Sequence, residues 1–387
     1  MMNKEFCRGT SAQVTLDNLL TNRNAPTLIS NIKTDRKYLK DTSYLNVATF
    51  LSLIIFIFCS CQPTERQVTP AFYHWQTNLN LNSTEQNALQ ELSANRIYAK
   101  FFDVSWNGNS AVPTAEIIIN ASSIPDSILV IPTIYITNET LVEIPDSKLA
   151  GLVNNIIKKI NTLTAQIPNF RFTELQIDCD WTLTTREKYF QLLKLLAEEL
   201  PTTNLSATIR LHQIKYKNKT GIPPVQRGVL MFYNTGNLKK WESENTILEL
   251  TEAKRYIAAL ADYDMPLDVA LPIFHWGVTY REGRLFKLIN GLTATELSDT
   301  TRFTQINSIR YAVTKSTYLR GHYLYQNDKI RLENISTETL RASAELLSSR
   351  MNNDNFQLLF YHLDSTTLAR HSVEELKNIQ HQFVEDK

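Results

Sequence analysis

The sequence predicts an α/β protein, a (β/α)8 barrel of the TIM type with a long insertion after the seventh strand. From about residue 69 onward, short runs of β-branched and aromatic residues alternate with amphipathic helical runs, the pattern of βα units around a parallel sheet. Eight such strand runs can be counted, which is the number that closes a barrel.

The eight predicted strands are, in order, residues 71–75, 96–104, 128–136, 174–181, 205–212, 228–234, 267–276 and 356–364. Helical periodicity predicts helices at 147–163, 185–201, 251–263, 337–350 and 373–384, with Thr184 or Thr185 as the N-cap of the second. The link from strand two to strand three has no helical pattern, and its segment 115–120 is predicted as an extra hairpin. Residues 280–334, rich in aromatic and basic side chains, are predicted to build over one rim.

An apolar run from Val47 to Cys61 follows several lysines and arginines and precedes a polar segment. It is shorter than a bilayer-spanning helix, as in a secretory signal. Its end, FCSC, resembles the lipobox of bacterial lipoproteins, which implies lipidation of Cys61 and a lipid-anchored protein of the bacterial cell envelope, at the outer membrane or the periplasmic face. The predicted organisation is thus an N-terminal extension with the signal (1–61), a linker (62–70) and the barrel (71–387). The alternative for the apolar run is an uncleaved membrane anchor.

Composition sets further bounds on the partners. Lys and Arg number 40 against 39 Asp and Glu, so no charge excess points to nucleic acid. After removal of the segment before Cys61, Cys179 is the only other cysteine, so no internal disulfide is predicted. No cofactor is predicted, and the oligomeric state stays open.

The stretch LQIDCDWT places two carboxylates one residue apart in a predicted buried strand. Side chains alternate across a strand, so Asp178 and Asp180 share a face with Gln176 and Thr182. Burying two like charges is costly unless they are paired, protonated or bound. Arg210 on the neighbouring strand is one structural explanation, an ion pair that lowers the aspartate pKa values; a functional site is the other.

Polar and aromatic residues cluster at the predicted carboxyl ends of the strands, where barrel enzymes carry their chemistry. Four of the seven histidines lie there, as do most carboxylates found within strands. The predicted catalytic residues are Asp178, Asp180, Asp103 and Asp364. The predicted substrate-binding residues are Trp75, Gln76, Tyr135, Arg210, His212, Met231, Tyr233, Asn234, His275 and Trp276. Trp106 and Trp181 complete the predicted aromatic platforms, which suit the apolar faces of sugar rings.

Two of these segments resemble motifs of family 18 glycoside hydrolases. IDCDWT is similar to the strand-four signature Asp-x-x-Asp-x-Asp-x-Glu, with Asp178 and Asp180 at the second and third aspartates. LMFYN is similar to the strand-six motif, with Met231, Tyr233 and Asn234 at the substrate-contacting positions. The resemblance implies that the third aspartate orients a substrate N-acetyl group and that the final Glu protonates the leaving oxygen.

The sequence departs from that signature at two positions. Leu175 stands where the first Asp is expected, and Thr182 stands where the acid Glu is expected. A hydroxyl cannot act as a general acid near neutral pH. More broadly, the chain is similar to bacterial lipoproteins related to glycoside hydrolases.

Three functions remain open from the sequence. The first is a carbohydrate-active hydrolase whose acid comes from Asp103, Asp364 or Glu282. The second is a glycan-binding barrel without catalysis, and Thr182 is its best support. The third is a metal-dependent hydrolase that uses His74, His212, His275 or His362 with an aspartate.

Overall fold

The structure is a computed structural model, and it describes residues 66–385 apart from 166, 168 and 169. The described residues form one compact unit. The predicted signal segment, the lipidation site Cys61 and the first part of the predicted linker lie outside the described residues. No helix among residues 66–385 combines the length and the apolar character that a membrane crossing requires.

The described strands and helices follow one another along the chain. The strands are β1 (Gln67–His74), β2 (Asn78–Leu79), β3 (Arg96–Trp106), β4 (Ala111–Thr114), β5 (Ile118–Ile119), β6 (Leu129–Ile136), β7 (Glu174–Asp178), β8 (Asn204–Arg210), β9 (Arg227–Met231), β10 (Leu267–Pro272), β11 (Trp276–Arg281), β12 (Arg284–Asn290), β13 (Phe303–Gln305), β14 (Arg310–Val313), β15 (Thr317–Leu319), β16 (His322–Leu324), β17 (Lys329–Glu333) and β18 (Asn355–Tyr361). The α-helices are α1 (Ser83–Glu91), α2 (Asn138–Glu143), α3 (Leu149–Thr164), α4 (Arg186–Glu199), α5 (Leu211–Lys215), α6 (Lys217–Thr220), α7 (Leu250–Tyr256), α8 (Thr337–Ser348), α9 (Ser365–Leu368) and α10 (Val373–Glu385).

Eight parallel strands close into a barrel, which confirms the predicted fold class. The ring runs β1, β18, β10, β9, β8, β7, β6 and β3, and β3 pairs back to β1. The predicted extra hairpin is replaced by β4, which pairs antiparallel with the end of β3, and by β5, which pairs parallel with β2. Residue 66, the first described, lies at the amino-terminal rim of the barrel, opposite the carboxyl ends of the strands.

Apolar helix faces cover the barrel. In α3 the buried positions include Leu152, Val153, Ile156 and Ile160, and this three-to-four-residue spacing forms one apolar stripe. Inside the barrel, below the carboxyl rim, polar side chains satisfy one another. The Tyr73 hydroxyl donates to Gln176 Oε1 at 2.7 Å.

Several predicted strands are too long at their carboxyl ends. The predicted strand four ends at Asp178 rather than 181, so Asp180 and Thr182 follow the strand. The predicted strand five ends at Arg210, where the chain turns into α5 and the Gln213 side chain accepts from the Arg210 backbone N–H at 2.7 Å. His212 is therefore a helix residue, not a strand residue. Local capping and turn chemistry overrode the strand pattern at these positions.

Two further boundaries differ from the prediction. Gln67–Pro70 fell within the predicted linker, yet these residues form the first half of β1 and pair with β18. Trp276, predicted to end strand seven, instead begins β11 in the insertion. Both differences arise because main-chain pairing with distant strands decides where a strand begins and ends.

The insertion after β10 is an antiparallel sheet with a small core. Its strands lie in the order β12, β11, β17, β14 and β13, and β15 and β16 form a separate hairpin. Ile289, Leu292, Phe303, Leu324 and Ile330 are among its buried apolar residues. This sheet forms part of the carboxyl rim because β11 follows β10 after three residues.

Candidate functional site

A cleft of about 760 Å³ opens at the carboxyl ends of the barrel strands. Its lining residues come from seven of the eight barrel strands or the loops after them, from α1 and from the insertion. They are Trp75, Gln76, Glu85, Tyr135, Asp178, Asp180, Arg210, Met231, Tyr233, Asn234, Phe274, His275, Trp276, Leu288, Asn290, Gly291, Arg320, Tyr361, His362, Asp364, Ser365, Thr366 and Thr367. The cleft brings together 12 of the 14 predicted catalytic and substrate-binding residues, all but Asp103 and His212; their roles stay predictions.

Arg210 bridges the two aspartates of the opening motif. Its Nη2 lies 3.4 Å from Asp178 Oδ1, and its Nε donates to Asp180 Oδ1. Asp178 also accepts from the Thr208 hydroxyl at 2.5 Å. The Asp178 side chain is 4% exposed, whereas that of Asp180 is 51% exposed. One guanidinium therefore holds a buried and an accessible carboxylate at the same place.

Arg210 acts on the pKa of Asp178 in the predicted direction, but it does not determine the net shift. Burial raises the pKa of Asp178 above its ordinary value, Arg210 opposes this rise, and Asp180 adds to it. Desolvation therefore exceeds the attraction of the guanidinium, and the protonated form of Asp178 is favoured relative to an exposed aspartate.

An aromatic wall faces these charges. The Tyr361 ring lies 5.8 Å from the Trp75 ring and 5.5 Å from each of the rings of Tyr233 and Phe274. The Phe274 ring in turn lies 5.1 Å from the Trp276 ring. Five neighbouring aromatic side chains thus form one cluster at the cleft wall, in which Tyr233, Phe274 and Trp276 are only 7–9% exposed.

Tyr361 and Phe274 are cleft residues that the sequence reasoning missed. Tyr361 is the last residue of β18, and Phe274 lies in the short link between β10 and β11. The signal available in the sequence was that Tyr361 precedes His362 and Phe274 precedes His275, and each histidine lies at the predicted carboxyl end of a strand.

The insertion supplies the opposite edge of the cleft, and a buried ion pair supports it. Arg331 Nη2 lies 2.6 Å from Glu333 Oε1, and both side chains are fully buried. The indole N–H of Trp276 donates to Glu333 Oε2 at 3.0 Å, and the Thr246 hydroxyl donates to the same oxygen at 2.7 Å. Glu333 therefore holds Trp276 in place at the cleft.

Asp364 and Glu85 line the cleft but already serve structural contacts. Asp364 caps α9 and accepts from the backbone N–H groups of Thr366 and Thr367 at 2.8 and 2.9 Å. Burial opposes the change, but the hydrogen bond from Thr366 and the neighbouring His362 lower the pKa of Asp364. Glu85 accepts from the backbone N–H groups of Asn82 and Ser365 at 3.0 and 3.1 Å. The lowered pKa of Asp364 favours its ionised form, and Glu85 is an acceptor of two backbone N–H groups.

Several predicted site residues lie away from the cleft. Asp103 pairs with Lys100, whose Nζ lies 2.8 Å from Asp103 Oδ1. His212 is exposed on α5, and Glu282 is exposed in the turn between β11 and β12. Trp181 is fully buried and stacks on Tyr189 with a ring separation of 5.0 Å. None of these four is among the described residues that line the cleft, and Trp181 packs in the core because it faces outward from the barrel.

Thr182 also lies outside the lining of the cleft. Its side chain is exposed, and its hydroxyl lies 2.9 Å from that of Thr184 and 3.3 Å from that of Thr185. The chain turns toward α4 directly after Asp180, so the position that the resemblance assigns to the general acid points into a threonine cluster.

Metal-ligating side chains are scattered over the rim. Within the described part of the chain, no three His, Cys, Asp or Glu residues are grouped so that they could hold a metal ion. His362 Nε2 is 3.2 Å from Asp364 Oδ2. Burial lowers the pKa of His362 despite the opposing charge of Asp364, so the imidazole is neutral at pH 7.

Comparison with solved structures finds similarity to a spore cortex-lytic enzyme and to chitinases. The chain is similar to the spore cortex-lytic enzyme SleL of Bacillus cereus, with a TM-score of 0.51 and 13% identity over 83% of this chain and 76% of that one. A further match is the GH18 chitinase ChiB of Flavobacterium johnsoniae, with a TM-score of 0.48 and 11% identity over 82% of this chain and 94% of that one. Another is catalytic domain 2 of the Ostrinia furnacalis Group II chitinase, a mutant form in complex with (NAG)5, with a TM-score of 0.48 and 10% identity over 83% of this chain and 97% of that one.

No protein-family model and no curated protein matches the sequence. At these identities the structural likeness establishes the fold, a (β/α)8 barrel, and nothing about activity.

Proposed function

We propose that this protein is a lipid-anchored glycan-binding barrel of the bacterial cell envelope, in which the cleft recognises saccharide rings without hydrolysing them. The observation that carries the proposal is the Arg210 bridge between Asp178 and Asp180. A hydrolase of the resembling family needs a carboxyl acid beside these aspartates. In this cleft the neighbouring group is a permanently charged guanidinium, which cannot donate a proton for catalysis.

The cleft has the composition that saccharide recognition requires. The aromatic wall from Trp75 to Trp276 offers flat apolar surfaces on which pyranose rings can stack. Asp180 and Asn234, both exposed at the cleft, offer acceptors and an amide for sugar hydroxyl groups. A pocket that combines aromatic side chains with polar groups of fixed position is typical of small-ligand binding.

The other carboxyl groups of the cleft are poor candidates for the missing acid. Asp364 caps α9 and has a lowered pKa, which favours its ionised form, and Glu85 already accepts two backbone N–H groups. Asp178, whose pKa is raised, is buried and accepts from Thr208. No other carboxyl group of the described chain lines the cleft.

Hydrolysis is the second candidate, and the exposure of Asp180 favours it. A half-exposed carboxylate in an aromatic cleft is placed where it could contact substrate. Under this alternative Asp180 orients the substrate or acts as base, and Asp178 supplies the proton through its raised pKa.

The location in the cell is proposed from the lipobox resemblance at Cys61. Metabolic labelling with a radioactive fatty acid in a bacterial host tests it, with Cys61→Ser as the matched control. Label on the parent and its absence from the variant supports the anchor. Equal labelling, or none on either protein, contradicts it.

Binding is tested by calorimetry on chain 62–387 with chito-oligosaccharides, soluble peptidoglycan fragments and β-glucan oligomers, beside assays of reducing-sugar release. We expect binding of one class without turnover. Asp180→Asn should weaken this binding about tenfold, roughly 1.4 kcal/mol, because the carboxylate that contacts hydroxyl groups becomes an amide.

Asp126→Asn, in an exposed loop, is the matched control and should bind as the parent does. Turnover by the parent that collapses in Asp180→Asn would instead establish the hydrolase. Failure of the parent to bind or cleave any member of the panel would contradict both functions for these glycans.

Restoring the acid of the family motif is not expected to restore catalysis. In Thr182→Glu the new carboxyl replaces a hydroxyl that is exposed beside Thr184 and Thr185, outside the cleft lining. Reducing-sugar release should stay at the level of a sample without enzyme, with parent and Thr184→Glu as controls. A rate above these controls for Thr182→Glu alone would show that this position reaches the substrate.

A further inference from the structure

A row of exposed aromatic side chains crosses the outer surface of the insertion. We call it the tyrosine strip, and its members are Tyr318, Tyr323, Tyr325, the guanidinium of Arg281 and Phe286. The ring of Tyr323 lies 4.9 Å from that of Tyr318 and 5.2 Å from that of Tyr325. The Arg281 guanidinium lies 4.3 Å from the Tyr325 ring and 3.8 Å from the Phe286 ring. The strip is therefore unbroken from one end to the other.

The strand register places these tyrosines on one face. Tyr318 in β15 and Tyr323 in β16 are direct cross-strand partners, and Tyr325 follows Tyr323 by two residues, the spacing of one strand face. The four aromatic side chains are between 40% and 69% exposed. Adjacent exposure of four large apolar groups is unfavourable in water and marks an interaction surface.

Arg281, the charged member of the strip, is fixed by a buried carboxylate. Arg281 forms a two-pronged ion pair with Asp328, with Nη2 to Oδ2 at 2.7 Å and Nε to Oδ1 at 3.1 Å. Asp328 is 3% exposed, so the pair is shielded from water on the carboxylate side. Binding to a preorganised surface loses little side-chain entropy.

The hairpin that carries the strip is also attached to the cleft. Arg320 and Gly321 form its turn, both with positive φ, as a tight hairpin turn requires. Arg320 reaches back to donate to the Asn290 carbonyl at 2.7 Å and pairs with Glu296 at 2.6 Å. Arg320 and Asn290 both line the cleft. A ligand that leaves the cleft on this side therefore meets the hairpin.

The size of the strip decides between two classes of occupant. Four aromatic side chains of about 200 Å² each, half exposed, offer about 400 Å². A stable protein interface needs about 800 Å² on each partner. The strip is thus too small for a stable protein partner, and its consecutive tyrosine rings, with centroids 4.9 and 5.2 Å apart, suit the successive rings of an extended saccharide chain.

We infer that the tyrosine strip is a second glycan-binding site that holds the part of a polysaccharide extending beyond the cleft. The inference rests on the proposed function, because the cleft holds one end of the same polymer. Its ligand is a long, uncharged or weakly charged polysaccharide whose rings stack on the tyrosines, while a short oligosaccharide occupies the cleft alone.

The experiment uses the full chain in detergent with Tyr318→Ala/Tyr325→Ala, and Tyr216→Ala as the matched control. Tyr216 is 45% exposed on the C-cap of α5, outside the strip. Binding is measured to a polymer and to the disaccharide of the same chemistry. The first such pair is chitin particles and diacetylchitobiose, and the second is whole peptidoglycan and its disaccharide. For a pair that the parent binds, the double variant should bind the polymer at least tenfold more weakly and the disaccharide as the parent does.

Each result has a definite meaning. Equal polymer binding by parent and double variant overturns the strip while leaving the cleft function intact. If a folded double variant loses binding to both the polymer and the disaccharide, the tyrosine strip is not a site separate from the cleft. A parent that binds neither pair contradicts the proposed function for these glycans, and the strip as argued falls with it. A change of oligomeric state in the double variant would identify a protein partner instead.

Discussion

Arg210→Met is expected to lower the free energy of unfolding by roughly 3–5 kcal/mol near pH 7.5, the usual cost of leaving one member of a buried ion pair without its partner. The Asp178 side chain is 4% exposed and loses its only cationic partner among the hydrogen bonds and ion pairs of the described chain. Asp180 contributes little to this cost because water screens its half-exposed side chain. Urea unfolding of parent and variant at pH 7.5 measures the effect.

The same substitution predicts a particular pH dependence. Burial already raises the pKa of Asp178, and removal of Arg210, which opposes this rise, should raise it further. A carboxyl group with a raised pKa in the folded state binds its proton more tightly there than in the unfolded chain. The contribution of protonated Asp178 to the stability of the folded state is therefore present at low pH. It is lost as the pH rises from about 4 through the folded-state pKa of Asp178.

The stability gap between parent and variant should accordingly shrink when the pH falls from 7.5 to 5. Arg210→Lys keeps the positive charge without the two-pronged guanidinium, so it should lose less stability and show a smaller pH dependence. A gap of equal size at both pH values would contradict the assignment of the cost to Asp178.

Glu333→Ala is expected to cost a similar amount, roughly 3–5 kcal/mol, because it leaves the fully buried Arg331 without a counter-charge. It also removes the acceptor of the Trp276 indole and of Thr246. Glycan binding should weaken along with stability, since Trp276 belongs to the aromatic wall of the cleft. Chemical denaturation and calorimetric titration of the same preparation measure the two effects.

A double substitution provides the control. Arg331→Met/Glu333→Leu removes both charges and fills the space with apolar groups, which often costs little stability. The double variant should therefore unfold nearer to the parent than Glu333→Ala does, while its glycan binding stays weakened because Trp276 still lacks its acceptor. If Glu333→Ala lowers the free energy of unfolding by less than about 1 kcal/mol, the buried pair is not maintained as an ion pair.

The sequence predicted the barrel well because strand and helix periodicity are local properties. Alternation separated Asp178 from Leu175, Ile177 and Cys179, which were predicted to share the apolar face, and all three are fully buried. Arg210 was predicted as the partner of the aspartates from its place on the adjacent strand, and the ion pairs with both are present. What failed was the extension of strand periodicity past the strand ends, as His212 in α5 and Trp276 in β11 show.

Most of the residues assigned to the cleft could be predicted, because parallel strands of a barrel present their carboxyl ends at one rim. Tyr361 and Phe274 were missed because nothing in a single sequence separates an aromatic residue of the core from one at a cleft wall. The availability of Asp103 and Asp364 as acids was equally hidden, since Lys100 pairs with the first and α9 is capped by the second.

By itself, the sequence determined the alternation of strands and helices, the closed parallel barrel and the rim at which polar residues gather, because these follow from periodicities of two and about four residues. Only the tertiary structure decided which charges meet and which aromatic rings reach solvent. Arg210 meets Asp180 and Asp178 across 30 and 32 residues of chain, and Glu333 meets Thr246 across 87. Contacts of that range depend on how elements pack, and packing sets both the desolvation that raises the pKa of Asp178 and the exposure of the tyrosine strip.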